Sequence, residues 1–376
     1  MNLASRRAGT LAVVLFAGIT CVLTIYYWDR LSPFVKELSR VYWPNSTFTE
    51  ELSTTPRRYN MTLAMVTCEN RLELALTNLK SILAFSRASF RLIVYADPWN
   101  IRELKNRISK WPGDIRKRFT YDLRPVKFPE KNYNTWKHMF ATCSTQRLFF
   151  PDMMPDEDAV IYLDADILLL RPVEELWSTF DLMHPSYLIA QAFEIEDWNT
   201  NPYRTLTKLP YFKPYGVNAG VMPMNLTRMR DFGWMSKLEP LLRKYGRRLQ
   251  WGDQDIVNIV FNEHPDKLFV MPCNWNFRRD SCEFHRTCWG QAPALLHANR
   301  RLFTINDEPA FRSTQLAMRE YKLGTSLERN FIDPLEQRLK ESRVKTICHY
   351  RFLHYIKEWR LLAHQLDRER GLSATS

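Results

Sequence analysis

Residues 159–170 read Ala-Val-Ile-Tyr-Leu-Asp-Ala-Asp-Ile-Leu-Leu-Leu, an apolar run interrupted by two carboxylates, Asp164 and Asp166, with one residue between them. A near-continuous apolar segment is what a parallel strand covered on both faces requires. The first aspartate marks its carboxyl end. Open α/β sheets bind their ligands at that edge, and two acids so spaced can turn toward one hard divalent cation. The alternative is that Asp-Ala-Asp only ends the strand and solvates the turn before Arg171-Pro172.

The flanking sequence alternates strand and helix, the pattern of a doubly wound α/β domain. Residues 61–67 read as a first strand, and Leu72, Leu76, Leu79 and Leu83 then share one helical face. Strands are expected at 91–95 and 119–126, with a helix near 101–110 between them and another ending near Phe150 before the strand at 159–163. Later strand candidates are 187–192, 216–223, 268–271 and 295–297. Only 11 of 376 residues are glycine, and neither the Gly-x-Gly-x-x-Gly fingerprint nor a P-loop follows a strand. That counts against a dehydrogenase or a kinase. No repeat of 20 to 50 residues is present, which excludes a solenoid.

Residues 8–28 carry no charge, and about 21 helical residues at ~1.5 Å each just span a bilayer core of roughly 30 Å. A cleaved signal peptide would have a shorter apolar core and small residues where Tyr26-Tyr27-Trp28 stand. Arg6 and Arg7 before the span keep residues 1–7 cytosolic by the positive-inside rule. The expected organisation is therefore a tail (1–7), a transmembrane signal anchor (8–28), a Pro-rich polar stem (29–58) and a lumenal domain (59–376). Of seven cysteines, Cys21 lies in the span. The other six, Cys68, Cys143, Cys273, Cys282, Cys288 and Cys348, are expected as disulfides in an oxidising lumen, in any of fifteen pairings. Cys273, Cys282 and Cys288 are close enough to clamp one loop. Zinc, with His285, lacks the short paired spacings of structural sites. Asn45, Asn60 and Asn225 fit the N-glycosylation sequon, though Asn225 also suits a helix start. The net charge of +12 is spread over scattered basic residues with no nucleic-acid motif, so no nucleic-acid partner is expected.

Ala294-Leu295-Leu296-His297 ends another apolar run on an imidazole, a candidate third metal ligand. Arg300 and Arg301 follow, and guanidinium groups suit phosphate. Trp251-Gly252-Asp253-Gln254-Asp255 opens an amphipathic helix with Asp253 as the expected N-cap. That leaves Gln254 and Asp255 to face a sugar, where an amide can stabilise developing positive charge. Together these residues point to an enzyme that handles a nucleotide sugar. The non-enzymatic alternatives are an idle lectin-like module, or a scaffold using the amphipathic segment 344–366, whose apolar stripe more often belongs to its own core.

These pieces, in this order, resemble glycosyltransferase family 8, in particular the glucoside xylosyltransferases, from about Met61 to Ala363. The carriers are Val66-Thr67-Cys68-Glu69-Asn70-Arg71, Gln146-Arg147-Leu148-Phe149-Phe150-Pro151, the Asp164-Ala165-Asp166 strand through Val173, and Val217-Asn218-Ala219-Gly220-Val221-Met222. They continue with Trp251 to Asp255, Pro272-Cys273-Asn274-Trp275-Asn276 and His297-Ala298-Asn299-Arg300. The resemblance implies a single GT-A domain, a Rossmann-like mixed sheet with helices on both faces. It also implies a retaining, Mn²⁺-dependent transfer from UDP-xylose, forming an α-1,3 bond to O-linked glucose on EGF-like repeats of proteins such as Notch, in the ER or Golgi. By position it implies Asp164, Asp166 and His297 as metal ligands and Val66, Thr67 and Arg71 at the uridine. Arg147 falls near the nucleotide sugar, Asn218 beside the donor sugar, and Asp253 and Gln254 at the transferred sugar. Close relatives usually have Thr where Ala165 stands. The broader family follows its histidine with Gly-Lys rather than Asn299-Arg300, so Arg300 is expected to replace that pyrophosphate contact.

Overall fold

A computed structural model describes residues 61–140, 142–284, 290 and 292–372. Its main sheet has seven strands: β1 (Met61–Thr67), β2 (Phe90–Ala96), β3 (Phe119–Pro125), β4 (Ala159–Asp164), β6 (Ile189–Gln191), β7 (Val221–Asn225) and β8 (Leu268–Val270). They lie in the order β3-β2-β1-β4-β7-β6-β8. β3, β2, β1 and β4 run parallel, β7 is antiparallel to both β4 and β6, and β6 is parallel to β8. A separate ribbon pairs β5 (Ile167–Leu169) antiparallel with β9 (Leu295–His297). The longer helices are α1 (Leu72–Phe85), α2 (Pro98–Ser109), α3 (Trp234–Tyr245), α4 (Asp253–Glu263), α5 (Pro309–Glu320), α6 (Asp333–Glu341) and α7 (Ile347–Glu369).

Successive strand residues face opposite sides of a sheet, and here both sides are covered. Leu63 and Met65 of β1, Leu92 and Val94 of β2, and Ile161 and Leu163 of β4 join a core with α1, α2, α5, α6 and α7. Ala64 and Val66, Ile93 and Tyr95, and Val160 and Tyr162 join a second core with α3 and α4. This double coverage explains why these strands read as unbroken apolar runs rather than as alternations.

The strand expected over 216–223 forms only from Val221, and antiparallel to β4. Gly216 has φ +67°, and a Cβ there would sit 2.3 Å from the Tyr203 ring. Asn258 then brackets Val217, accepting from its N–H and donating to its carbonyl, each at 2.8 Å. Side-chain bonds thus take the place of most ladder bonds, apart from an isolated bridge to Phe193. Strand 187–192 is likewise shortened to Ile189–Gln191.

Cys282 pairs with Cys348, Cα atoms 5.2 Å apart, which ties α7 to the segment after residue 278. The three-cysteine clamp is therefore corrected, because its middle member reaches α7 instead; Cys273 is also disulfide-bonded. Cys68 pairs with Cys143, 75 residues apart; closing a loop of that length contributes on the order of 4 kcal/mol in the chain-entropy account. Asn225 starts a helix: its side chain accepts from the Arg228 N–H. Along α7, Cys348, Phe352, Ile356, Trp359, Ala363 and Leu366 enter the first core, which leaves the scaffold alternative without its apolar stripe. The anchor at 8–28, the stem, Asn45 and Asn60 lie outside the described residues. No described helix is long and apolar enough to cross a membrane.

Candidate active site

β1 pairs with β4 so that Val66 stands opposite Asp164, and β7 follows Gly220, whose carbonyl accepts from the Asp164 N–H at 2.9 Å. Asn78 of α1 donates to the Asp164 carbonyl at 2.8 Å and so fixes the strand end. The chain then turns through Ala165 into β5, where Ile167 pairs with His297 of β9. That pairing places a residue 131 positions beyond Asp166 beside it. His297 Nε2 lies 3.6 Å from Asp164 Oδ2 and 3.7 Å from Asp166 Oδ1. One ligand atom from each of the three residues falls within 4.8 Å of the others.

The donor set fits a divalent cation. Asp166 Oδ1 is buried without a hydrogen-bond partner among the described residues, and burial raises the Asp166 pKa above the usual carboxylate range. Burial also lowers the His297 pKa, which favours the neutral imidazole a metal needs. The His297 tautomer is set by Asn276, whose Oδ1 lies 2.9 Å from Nδ1. Asn276 spends its Nδ2 on Asn218 Oδ1 at 2.9 Å, so its Oδ1 is the end left to accept from Nδ1–H. Nε2 then keeps its lone pair. Gly220 makes room for this ring: a Cβ there would meet His297 Cε1 at 2.2 Å and Nδ1 at 2.6 Å. Gly220→Ala is accordingly expected to displace the imidazole and weaken divalent-cation binding by roughly 10- to 100-fold. Calorimetric titration of the ion measures this, and unchanged affinity would separate His297 from the metal.

Arg147 lies behind the triad, inside the protein. Its Nε donates to Asp253, while Nη1 donates to Asp164 Oδ1 at 2.7 Å and to the Ala219 carbonyl at 2.8 Å. The Tyr162 hydroxyl also donates to Asp164 Oδ1, so that oxygen is committed to the protein and Oδ2 faces His297. Burial pulls the Arg147 pKa down, but Asp164 and Asp253 hold it well above its ordinary value. Arg71 reaches Asp166 Oδ2 at 3.3 Å. Val66 and Thr67 end β1, and the Thr67 hydroxyl is buried without a partner among the described residues.

At α4 the expectation needs two corrections. Asp253 is not the N-cap, since Gly252 holds that place with φ +57°, and its carboxylate goes to Arg147. Asp255 is not free to face a sugar: its Oδ2 accepts the N–H groups of Gln250 and Trp251 at 2.6 and 2.8 Å. Burial pushes its pKa up to about 6. Gln254 does reach the site. Its Oε1 accepts from the Ala219 N–H and Asn218 Nδ2, both at 3.1 Å, and its Nε2 donates to Glu194 Oε2 at 3.1 Å. Arg300 stands three residues past His297 with φ +57°, largely exposed and 3.7 Å from Asp280. Asn276 and Glu194 also belong to the site, although their local sequence does not announce it. Only the repeated Asn-x-Asn around Trp275 carried a signal, and Glu194 carried none.

Residues 62–297 match the profile of Glycosyl transferase family 8. Glucoside xylosyltransferase 1 of Mus musculus is 36% identical, over 84% of this chain and 80% of its own length. Glucoside xylosyltransferase 2 of Xenopus laevis is 34% identical, over 77% and 71%. Among solved structures, apo mouse xyloside xylosyltransferase 1 superposes with a TM-score of 0.50 at 19% identity, covering 65% of this chain and 99% of that one. The galactosyltransferase LgtC, solved with donor and acceptor sugar analogues, gives 0.51 at 18%, covering 64% and 87%. These likenesses place the same mixed sheet in all three proteins. With a metal-type triad at the carboxyl edge of that sheet and the family profile spanning it from β1 to His297, the chain belongs to glycosyltransferase family 8 and is a glycosyltransferase.

Proposed function

We propose that the enzyme transfers xylose from UDP-xylose to a β-linked glucose, with retention and an α-1,3 bond, and that the acceptor glucose is O-linked to EGF-like repeats of proteins such as Notch. The observation that carries the reading is the convergence of Asp164 Oδ2, Asp166 Oδ1 and His297 Nε2, joined through Asn276 and Asn218 to Gln254. Asp164, Asp166 and His297 would hold a manganese-type ion, which as a Lewis acid neutralises charge on a departing diphosphate.

The protein's own groups do the remainder. Val66 and the unpaired Thr67 hydroxyl suit the uridine. Arg71 and the exposed Arg300 suit phosphate oxygens, and Arg147, bonded to Asp164, suits the nucleotide sugar. Asn218 and Gln254, with Asp253 braced behind them, suit the donor sugar. Xylose is favoured by the relatives that carry its name. The uncharged segment 8–28 and the disulfides support a single-pass type II protein of the ER or Golgi, since disulfides persist in oxidising compartments.

The test is a panel of UDP-xylose, UDP-glucose, UDP-galactose and UDP-glucuronic acid with a β-glucoside acceptor, run with Mn²⁺ and with a chelator. Transfer of xylose alone, lost to the chelator, is expected; preference for a hexose would replace the donor assignment. In the same assay Gln254→Ala should lower kcat more than it raises donor KM. Unchanged turnover would remove Gln254 from the transferred sugar.

A further inference from the structure

Glu194 lies three residues past β6 and is 5% exposed. Its main chain is fixed on two sides: its N–H donates to the Gly216 carbonyl at 2.9 Å, and its carbonyl accepts from the buried Arg278 guanidinium. The carboxylate therefore has a set origin. Its Oε2 accepts from Asn218 Nδ2 at 2.7 Å and from Gln254 Nε2 at 3.1 Å.

A neutral amide can rotate half a turn and exchange its donor and acceptor ends, whereas a carboxylate only accepts. Were Gln254 flipped, its Nε2 would face the Ala219 N–H and its Oε1 would face Glu194. Both contacts would be repulsive. Asn218 is held in the same way, with Nδ2 on Glu194 and Oδ1 accepting from the Gly220 N–H at 3.0 Å. With Asn218 so oriented, its Oδ1 takes the Asn276 Nδ2, and the Asn276 Oδ1 is left for His297. Every side-chain donor in this chain points toward Glu194.

We infer that Glu194 is a positioning residue for sugar transfer: its Oε2 holds the amides of Gln254 and Asn218 in the orientation in which they line the donor-sugar site. The role needs an acceptor oxygen at that point, which a glutamine also supplies: the Ala219 and Gly220 N–H groups hold the Gln254 and Asn218 donors toward position 194 and so set the orientation of an amide placed there. It rests on the reading of Gln254 and Asn218 as donor-sugar contacts.

Two substitutions separate geometry from charge. Glu194→Gln keeps an acceptor oxygen where Oε2 stands and removes the charge. Glu194→Asp keeps the charge and withdraws the oxygen by one methylene. With whichever UDP-sugar the wild-type enzyme transfers, Glu194→Gln should retain kcat within about fivefold and Glu194→Asp should lose tenfold or more, with donor KM within threefold in both. Thermal melts of both variants with and without UDP report folding and nucleotide binding, and both should match wild type. An active Asp variant beside an inactive Gln variant, two inactive variants, two active variants, or a loss confined to KM would each overturn the inference. Because the test uses the donor found active, failure of the xylose assignment leaves it standing.

Discussion

Asp166→Asn is expected to lower kcat/KM by about 10³-fold, equivalent to ~4 kcal/mol of transition-state stabilisation, without lowering the unfolding temperature. Asp166 Oδ1 is sealed from water and has no hydrogen-bond partner among the described residues, and burial raises its pKa. A carboxylate kept in that state costs folding energy unless a cation compensates it. Replacing it with a neutral amide relieves the cost and removes a ligand, the pattern of a residue retained for activity at the expense of stability. Its ion pair with Arg71 is partly exposed and offsets little. Thermal melts with and without Mn²⁺ provide the independent readout. An ion at a hundred times its dissociation constant stabilises a protein by about 2.7 kcal/mol, so Mn²⁺ should raise the wild-type midpoint and leave that of Asp166→Asn unmoved. An Asn variant with full activity would take Asp166 out of the site.

Arg147→Leu is expected to act on stability. Asp253 is fully buried and its carboxylate bonds to Arg147. Asp164 shares the same guanidinium. Breaking a buried pair from one side strands the remaining charge, at a cost of about 3–5 kcal/mol, or a midpoint lower by roughly 5–8 °C for a domain of this size. Burial already raises the Asp253 pKa, which Arg147 counters; without Arg147 that rise is unopposed. A raised folded-state pKa means the destabilisation is smallest at low pH and grows as pH climbs toward neutrality. Urea denaturation at pH 5 and pH 7.5 measures both size and sign. Arg147→Lys should recover only part of the loss, because one ammonium cannot reproduce the fork that reaches Asp253, Asp164 and the Ala219 carbonyl together. A Leu variant as stable as wild type would mean that Asp253 finds another partner.

How much of this was legible before folding differs by residue. β1, β2, β3, β4 and β9 stood within two residues of their expected places, since runs of Val, Ile, Leu and Tyr bounded by polar turns announce a buried strand locally. The 216–220 segment misled because its apolar letters serve a backbone that Tyr203 and Asn258 shape from elsewhere. Asp253 misled for a related reason. An aspartate at a helix start caps by default, and only an arginine 106 residues earlier redirects it.

The amino-acid order by itself determined where most of the strands lie, that both faces of the sheet are covered, and that two acids and an imidazole finish apolar runs. Each of those facts is written in neighbours a few residues apart. The tertiary structure decided which polar groups meet: Arg147 between Asp164 and Asp253, Asn276 between His297 and Asn218, Glu194 beneath Gln254, Cys282 with Cys348. A polar residue's identity states what it can bond, not what it does bond. Its partner is fixed by strand order and by the β5–β9 pairing, which bring together positions that share no local pattern.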